Sequence, residues 1–125
     1  MDSRYYEKHN SSNYKYDILY IATFEKRKNH SFLIEALSYY KGEETINVCF
    51  IGRDLGYKKI VQEKCRYLKN NVKIDFIKSI DNENDIIKMY DQSKIFVYPS
   101  LYEGFGMPLI EAMSRGCKVL CSDIE

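Results

Sequence analysis

The sequence predicts one α/β domain with a parallel sheet that is covered by helices, and three observations predict it. Short apolar runs suited to buried strands are separated by segments with helical periodicity. The two kinds of segment alternate strictly along the chain, which is typical of a doubly wound parallel sheet. The connections between them are short, so each crossover should be right-handed. With 125 residues the chain is long enough for one domain with a core, but not for two.

The predicted strands are short runs rich in β-branched and aromatic residues. Most are apolar throughout, as expected of strands buried on both faces, whereas the third alternates like a strand that is partly exposed. The five predicted strands are Asp17–Thr23, Asn47–Ile51, Val72–Ile77, Ile95–Tyr98 and Lys118–Ser122. In such a sheet, ligands bind beyond the carboxyl ends of the strands, near the point where the strand order reverses.

Four helices are predicted between these strands. Asn29 is the expected N-cap of the first, and Asp81 or Asn82 that of the third. The fourth, Pro108–Arg115, begins with a proline, which loses no hydrogen bond at the first helical position. The residues expected to face inward recur at helical spacing. They are Phe32, Leu33, Ala36, Leu37 and Tyr40 in the first helix, Tyr57, Ile60, Val61, Cys65 and Leu68 in the second, and Ile86, Ile87 and Tyr90 in the third.

Composition excludes several classes of protein. Residues 1–16 are polar without periodicity and are predicted to be a flexible tail or linker remnant, which leaves residues 17–125 as the folded domain. A net charge of +1 gives no electrostatic case for binding nucleic acid. No apolar run is long enough for a transmembrane segment, and the N-terminus lacks the apolar region of a signal peptide, so we expect a cytoplasmic protein. The four cysteines show no C-x-x-C spacing, so we expect reduced thiols and no metal site.

The strongest functional signal lies in residues 103–111, Glu-Gly-Phe-Gly-Met-Pro-Leu-Ile-Glu. Two carboxylates, Glu103 and Glu111, flank a loop that contains Gly104 and Gly106 and leads into the fourth predicted helix. Glycines let backbone N–H groups approach a ligand closely, and a helix N-terminus attracts anions. A ligand with an anionic centre and hydroxyl groups on both sides fits this pattern. The segment therefore predicts a sugar-nucleotide site.

The segment from Tyr98 to Val119 resembles the "PSxxEGFGxPxxEAMAxGxPV" block of retaining glycosyltransferases of the GT-B fold, the glycosyl transferase group 1 family. Glu103 and Glu111 match the E-x7-E signature of that family, and Thr23–Asn29 resembles its "GxLxxRKN" segment. The likeness covers residues 17–125. It implies a Rossmann-like domain, the donor-binding half of a GT-B fold, which we expect to be truncated at its C-terminus.

The resemblance implies a role for each matching residue. Glu103 would contact the transferred sugar near the reacting centre, which makes it the candidate catalytic residue. Glu111 would accept hydrogen bonds from the ribose hydroxyls, and Lys28 would neutralise the diphosphate as it leaves. Backbone amides would bind the sugar at Phe105, Gly106 and Met107, and the diphosphate around Gly104 and Leu109. No cofactor or metal ion is expected.

Some positions depart from the family pattern. Thr23 stands where family members often carry an arginine that clamps the phosphates. Arg53, in the loop after the second strand, is the alternative source of a second cation. The base is expected near Phe76–Ser79, held largely by backbone groups, and the side chains there do not distinguish uracil, guanine and adenine.

The activity implied by the resemblance is transfer of a sugar from a nucleoside-diphosphate sugar to an acceptor with retention. GT-B enzymes hold the acceptor in a separate N-terminal domain, so we expect a partner domain or chain and no activity from this chain alone. The alternative is a non-catalytic sugar-nucleotide-binding module or an inactive fragment. A nicotinamide-dependent oxidoreductase is disfavoured because the loop after the first strand lacks G-x-G-x-x-G. Sugar-nucleotide epimerases of GT-B architecture are not expected to carry the Glu-Gly-Phe-Gly block.

Overall fold

The computed structural model describes residues 14–98 and 118–121, which form a five-stranded sheet and three helices. The strands are β1 (Tyr16–Ile21), β2 (Ile46–Ile51), β3 (Val72–Ile77), β4 (Ser93–Tyr98) and β5 (Lys118–Cys121). The helices are α1 (His30–Ser38), α2 (Lys58–Cys65) and α3 (Glu83–Asp91), and a short 3₁₀ turn, Lys26–Lys28, precedes α1.

All strand pairs are parallel and the spatial order is β3-β2-β1-β4-β5, which confirms the predicted Rossmann-like sheet. The order reverses between β1 and β4, so the switch point lies at their carboxyl ends. Right-handed crossovers place α1 and α2 on one face and α3 on the other. Four consecutive residues of β2, from Val48 to Ile51, are buried, as expected of a strand that is covered on both faces.

The helices begin close to the predicted positions, but three side chains expected to face inward are exposed. They are Phe32, at 57% exposure, and Ala36 in α1, and Ile60, at 43% exposure, in α2. In α1, His30 and Ile34 are buried although they were not expected to face inward, and in α2 the predicted Val61 is buried. The apolar pattern spread over more than one helical face, and only packing against the sheet selects the buried stripe.

An aromatic cluster fills the space between the sheet and helix α1 near the carboxyl ends of the strands. It consists of Tyr20, Phe24, His30, Phe50 and Phe76. Ring centroids are 4.6 Å apart for Phe24 and His30 and 5.7 Å apart for Phe50 and Phe76. The cluster connects three strands with the loop after β1, and each such ring pair contributes about 0.5–1.5 kcal/mol beyond area burial. It therefore holds that loop firmly on the sheet.

The first strand includes Tyr16, the last residue of the predicted tail. Its backbone N–H donates to the carbonyl of Gln92, and its hydroxyl donates to the Asp75 carboxylate at 2.7 Å. Cys49 is fully buried in β2, and burial raises the pKa of its thiol to about 11. No helix in the described ranges is both long and apolar enough to cross a bilayer.

Candidate functional site

The candidate site is built on the loops that leave the carboxyl ends of β1, β2 and β3. Backbone hydrogen bonds continue between these loops after the strands end. Ala22 N–H donates to Ile51 at 2.8 Å, Phe24 N–H donates to Arg53 at 2.8 Å, and Leu55 N–H donates back to Phe24 at 3.0 Å. Because their backbone groups are paired, the first two loops form one rigid edge.

Gly52 is required for this close approach. A Cβ at position 52 would lie 1.8 Å from the carbonyl oxygen of Ala22, which is impossible without moving backbone. The N–H of Gly52 donates to Ile77 at 3.0 Å, so the third strand is tied to the same point. The glycine at this position therefore allows one backbone to pack directly on another.

The loop after β1 carries a small charge network. The Glu25 carboxylate accepts hydrogen bonds from the Thr23 hydroxyl and from Arg27 Nε, the latter at 2.8 Å. The Thr23 hydrogen bond, followed by that of Arg27 and by the nearby cations, holds the pKa of Glu25 below its usual range. Arg27 is thus partly neutralised within the loop. Lys28 ends the 3₁₀ turn, and its carbonyl accepts a hydrogen bond from the buried Tyr20 hydroxyl at 2.7 Å.

Asn29 and His30 join this loop to helix α1. Asn29 is the predicted N-cap, but its side chain makes no capping hydrogen bond; it adopts a left-handed conformation with φ of 62° that turns the chain into the helix. His30 then enters the aromatic cluster, where it is fully buried. Neither ring nitrogen has a hydrogen-bond partner among the described residues. Burial, together with the charge of Lys28, lowers the pKa of His30 to about 4, so the ring is neutral.

The loop after β2 is held by Asp54. Its Oδ1 accepts hydrogen bonds from the backbone N–H groups of Gly56 and Tyr57, which precede α2, and of Lys58, its first residue, at 2.8, 3.1 and 3.1 Å. These hydrogen bonds lower the pKa of Asp54. The N-cap position of α2, Tyr57, makes no side-chain capping hydrogen bond, so Asp54 stabilises the turn that leads into the helix.

A cleft with a volume of about 340 Å³ opens at this edge of the sheet. Its lining joins the ends of three strands and the first turns of α3. The apolar part of the lining is Ile21, Ala22, Ile51, Gly52, Ile80 and Ile86. The polar part is Thr23, Arg53, Lys78, Ser79 and Asp81. An apolar slot with a few polar groups around it is the usual form of a small-molecule site.

Most of the predicted site residues lie outside the described ranges. Those are Glu103, Gly104, Phe105, Gly106, Met107, Leu109 and Glu111. Lys28 is described and lies beyond the carboxyl end of β1, but it is not part of the cleft lining. The assigned roles of all eight residues stay predictions.

The cleft contains residues that sequence reasoning treated as minor or missed. Arg53 was considered only as a substitute cation, and Lys78 and Ser79 lie in the stretch expected to hold the base. Asp81 was considered only as a possible helix cap; the cap of α3 is Asn82, which accepts from Asn84 N–H at 2.8 Å. Nothing in the spacing of these residues indicates a common site. Among residues 14–98 and 118–121, no group of three His, Cys, Asp or Glu side chains could hold a metal ion.

Two curated bacterial proteins illustrate the relatives of this chain. It is 33% identical over 109 residues to the O-antigen chain mannosyltransferase B of Escherichia coli, which covers 85% of this chain and 28% of that protein. It is 32% identical over 112 residues to the capsular polysaccharide biosynthesis glycosyltransferase CapH of Staphylococcus aureus, covering 86% and 30%. The chain therefore spans less than a third of the length of either relative.

Solved structures show the same fold. The C-terminal domain of the group 1 glycosyl transferase LpcC from Francisella tularensis superimposes with a TM-score of 0.78 at 26% identity, covering 97% of this chain and 69% of that one. Anabaena HepE, solved in complex with UDP and glucose, gives a TM-score of 0.77 at 20% identity, covering 99% and 36%. The Rossmann-like sheet thus corresponds to the C-terminal domain of a GT-B enzyme.

The family model described as "Glycosyl transferases group 1" matches residues 2–125, which is nearly the whole chain. Together with the parallel sheet, its switch point and the cleft beside it, this match shows that the chain belongs to the glycosyl transferase group 1 family.

Proposed function

We propose that this chain is the donor-binding domain of a retaining glycosyltransferase that takes its sugar from a nucleoside diphosphate. The observation that carries the proposal is the cleft at the carboxyl ends of β1, β2 and β3, next to the switch point of a group 1 fold. An apolar slot suits a planar base. In the sequence, Glu103 follows the end of β4, the strand that pairs with β1, by five residues.

Departure of the diphosphate is the difficult step of the reaction, because negative charge develops on the leaving oxygen. A fixed cation and backbone N–H groups aimed at that charge stabilise the transition state more than the ground state. In the proposal, Lys28 supplies the cation and the amides around Gly104 and Leu109 supply the dipoles. Glu103 stands at the sugar and Glu111 at the ribose. No metal ion takes part, so activity of the complete enzyme should be insensitive to EDTA.

The acceptor would be held by a separate domain or chain, and the reaction would take place in the cytoplasm. The two relatives are named for an O-antigen chain and for capsular polysaccharide biosynthesis, and this supports a growing polysaccharide chain as the acceptor class. The same cleft would also serve a non-catalytic sugar-nucleotide-binding module. Turnover after addition of an acceptor domain distinguishes the two possibilities.

The proposal is tested by titrating GDP, UDP and ADP into the isotope-labelled chain and following amide shifts by NMR. We expect weak, saturable binding with shifts in the loops after β1 and β3 and in residues 103–111, and no sugar transfer by the chain alone. The Glu111→Ala variant should weaken nucleotide binding more than Glu103→Ala does. Absence of shifts with all three nucleotides would refute nucleotide binding, and turnover by the lone chain would refute the separate acceptor domain.

A further inference from the structure

The polar lining of the cleft carries charges of opposite sign. Arg53 and Lys78 follow the ends of β2 and β3, and Asp81 lies three residues after Lys78 in the loop before α3. Within the described residues, none of these three side chains has a hydrogen-bond or ion-pair partner in the protein. Charged groups that line an apolar slot without protein partners are available to a ligand.

We propose that Asp81 is a specificity-determining residue that makes the cleft prefer guanine over uracil and adenine. This inference rests on the proposed function, since it assumes that the cleft receives the base of a nucleoside diphosphate. A carboxylate is an acceptor only, with two oxygens that can receive two parallel hydrogen bonds. It therefore selects a base edge that presents adjacent donors.

Guanine presents such an edge, because its N1–H and N2 amino group are neighbouring donors. The adjoining edge presents the acceptors O6 and N7, which arginine and lysine side chains recognise. The Asp81 carboxylate and the Arg53 and Lys78 cations would thus complement the two polar edges of one guanine. The isoleucines of the slot, such as Ile21 and Ile86, would contact its faces.

The other bases match this lining less well. Uracil offers a single donor, N3–H, between two carbonyl oxygens, and both oxygens would be repelled by a carboxylate. Adenine offers its amino group beside N1, which is an acceptor and would also be repelled. We expect the matched pair of hydrogen bonds to give about tenfold discrimination, which corresponds to about 1.4 kcal/mol.

The test compares the dissociation constants of GDP, UDP and ADP for the whole chain and two variants by calorimetry or NMR. We expect the unmodified chain to bind GDP about tenfold more tightly than UDP or ADP. Asp81→Asn should remove most of that preference because it lowers the affinity for GDP, whereas the affinity for UDP should stay the same or rise. Asp85→Asn is the matched control, because it removes the same charge from the first turn of α3 without touching the cleft lining; it should keep the preference.

Two results would overturn the inference. One is binding of UDP or ADP as tight as that of GDP, and the other is an unchanged GDP preference in Asp81→Asn. Either would leave the proposed function standing, since a nucleotide still binds. Failure of all three nucleotides to bind would instead refute the proposed function, and the inference with it. Circular dichroism of Asp81→Asn establishes that the variant is folded.

Discussion

A Cβ atom on Gly52 would lie 1.8 Å from the carbonyl oxygen of Ala22, so the loops after β1 and β2 touch backbone to backbone. Both residues line the cleft. The shape of the cleft therefore depends on a contact that no other amino acid at position 52 allows.

Replacing Gly52 with alanine should lower the free energy of unfolding by about 3 kcal/mol, because the backbone around Ala22 must move to admit the methyl group. Nucleotide affinity should fall as well, since the cleft changes shape. Gly56→Ala is the comparison, because its φ of 100° is strained for alanine but no atom lies near the added carbon. It should cost only about 1–2 kcal/mol. Urea unfolding gives both values, and equal costs would contradict the backbone contact as the cause.

His30 should make the protein sensitive to mild acid. Its pKa is about 4 in the folded protein, lowered from 6.5 by burial, so below pH 6.5 the unfolded chain binds a proton that the folded chain does not. Stability should be complete above pH 6.5 and fall by about 3 kcal/mol as the pH drops from 6.5 to 4.

The His30→Phe variant provides the control, because it keeps an aromatic ring in the cluster and removes the titrating group. Its free energy of unfolding, measured in urea at several pH values, should change less between pH 6.5 and 4 than that of the unmodified protein. Identical pH profiles for the two proteins would show that His30 does not titrate as described.

Asp54 should stabilise the start of α2 through its three backbone hydrogen bonds. Asp54→Ala should lower the Tm, because three N–H groups in the turn that leads into α2 lose their acceptor. Asp54→Asn keeps an acceptor oxygen, so its Tm should lie much closer to that of the parent than the Tm of the alanine variant does. Since the pKa of Asp54 is lowered in the fold, its contribution is present at neutral pH and is lost as the pH falls through the folded pKa. Equal melting temperatures for the alanine variant and the parent would contradict this stabilising role.

Lys28→Ala should weaken nucleoside diphosphate binding about tenfold, since a charge-assisted hydrogen bond to phosphate is worth about 1.5–3 kcal/mol. It should also reduce the loss of affinity on raising the salt concentration, because one cation fewer contacts the ligand. Lys26→Ala is the matched control on the same 3₁₀ turn, where the side chain is exposed. Equal effects of the two variants would mean that Lys28 acts only through the general charge of the loop.

The sequence was sufficient to predict the architecture of the sheet. Strictly alternating strand and helix patterns predicted a parallel sheet, and four of the five strands end within one residue of the predicted position. The exception is β1, which ends at Ile21 rather than Thr23 because Thr23 enters the loop with Glu25. These predictions succeeded because hydrophobic periodicity depends on local spacing along the chain.

The buried faces of the helices and the lining of the cleft could not be predicted as well from the sequence. Phe32 and Ile60 belong to apolar stripes that sequence alone could not orient, and His30 was not expected in the core. Lys78 and Asp81 are charged loop residues like many others, and only the folded loops bring them together with Arg53. Such groupings depend on contacts between residues far apart in the chain.

The sequence by itself determined the class of fold, and its resemblance to the group 1 glycosyl transferases, in residues 98–119 and around Lys28, predicted the family to which the chain belongs. Both follow from patterns that are local along the chain. Only the tertiary structure decided why Gly52 is a glycine, which of the helical apolar residues are buried, and which side chains surround the cleft. The physical reason is that each depends on the distance between separate strands and loops, such as the backbone contact between Gly52 and Ala22.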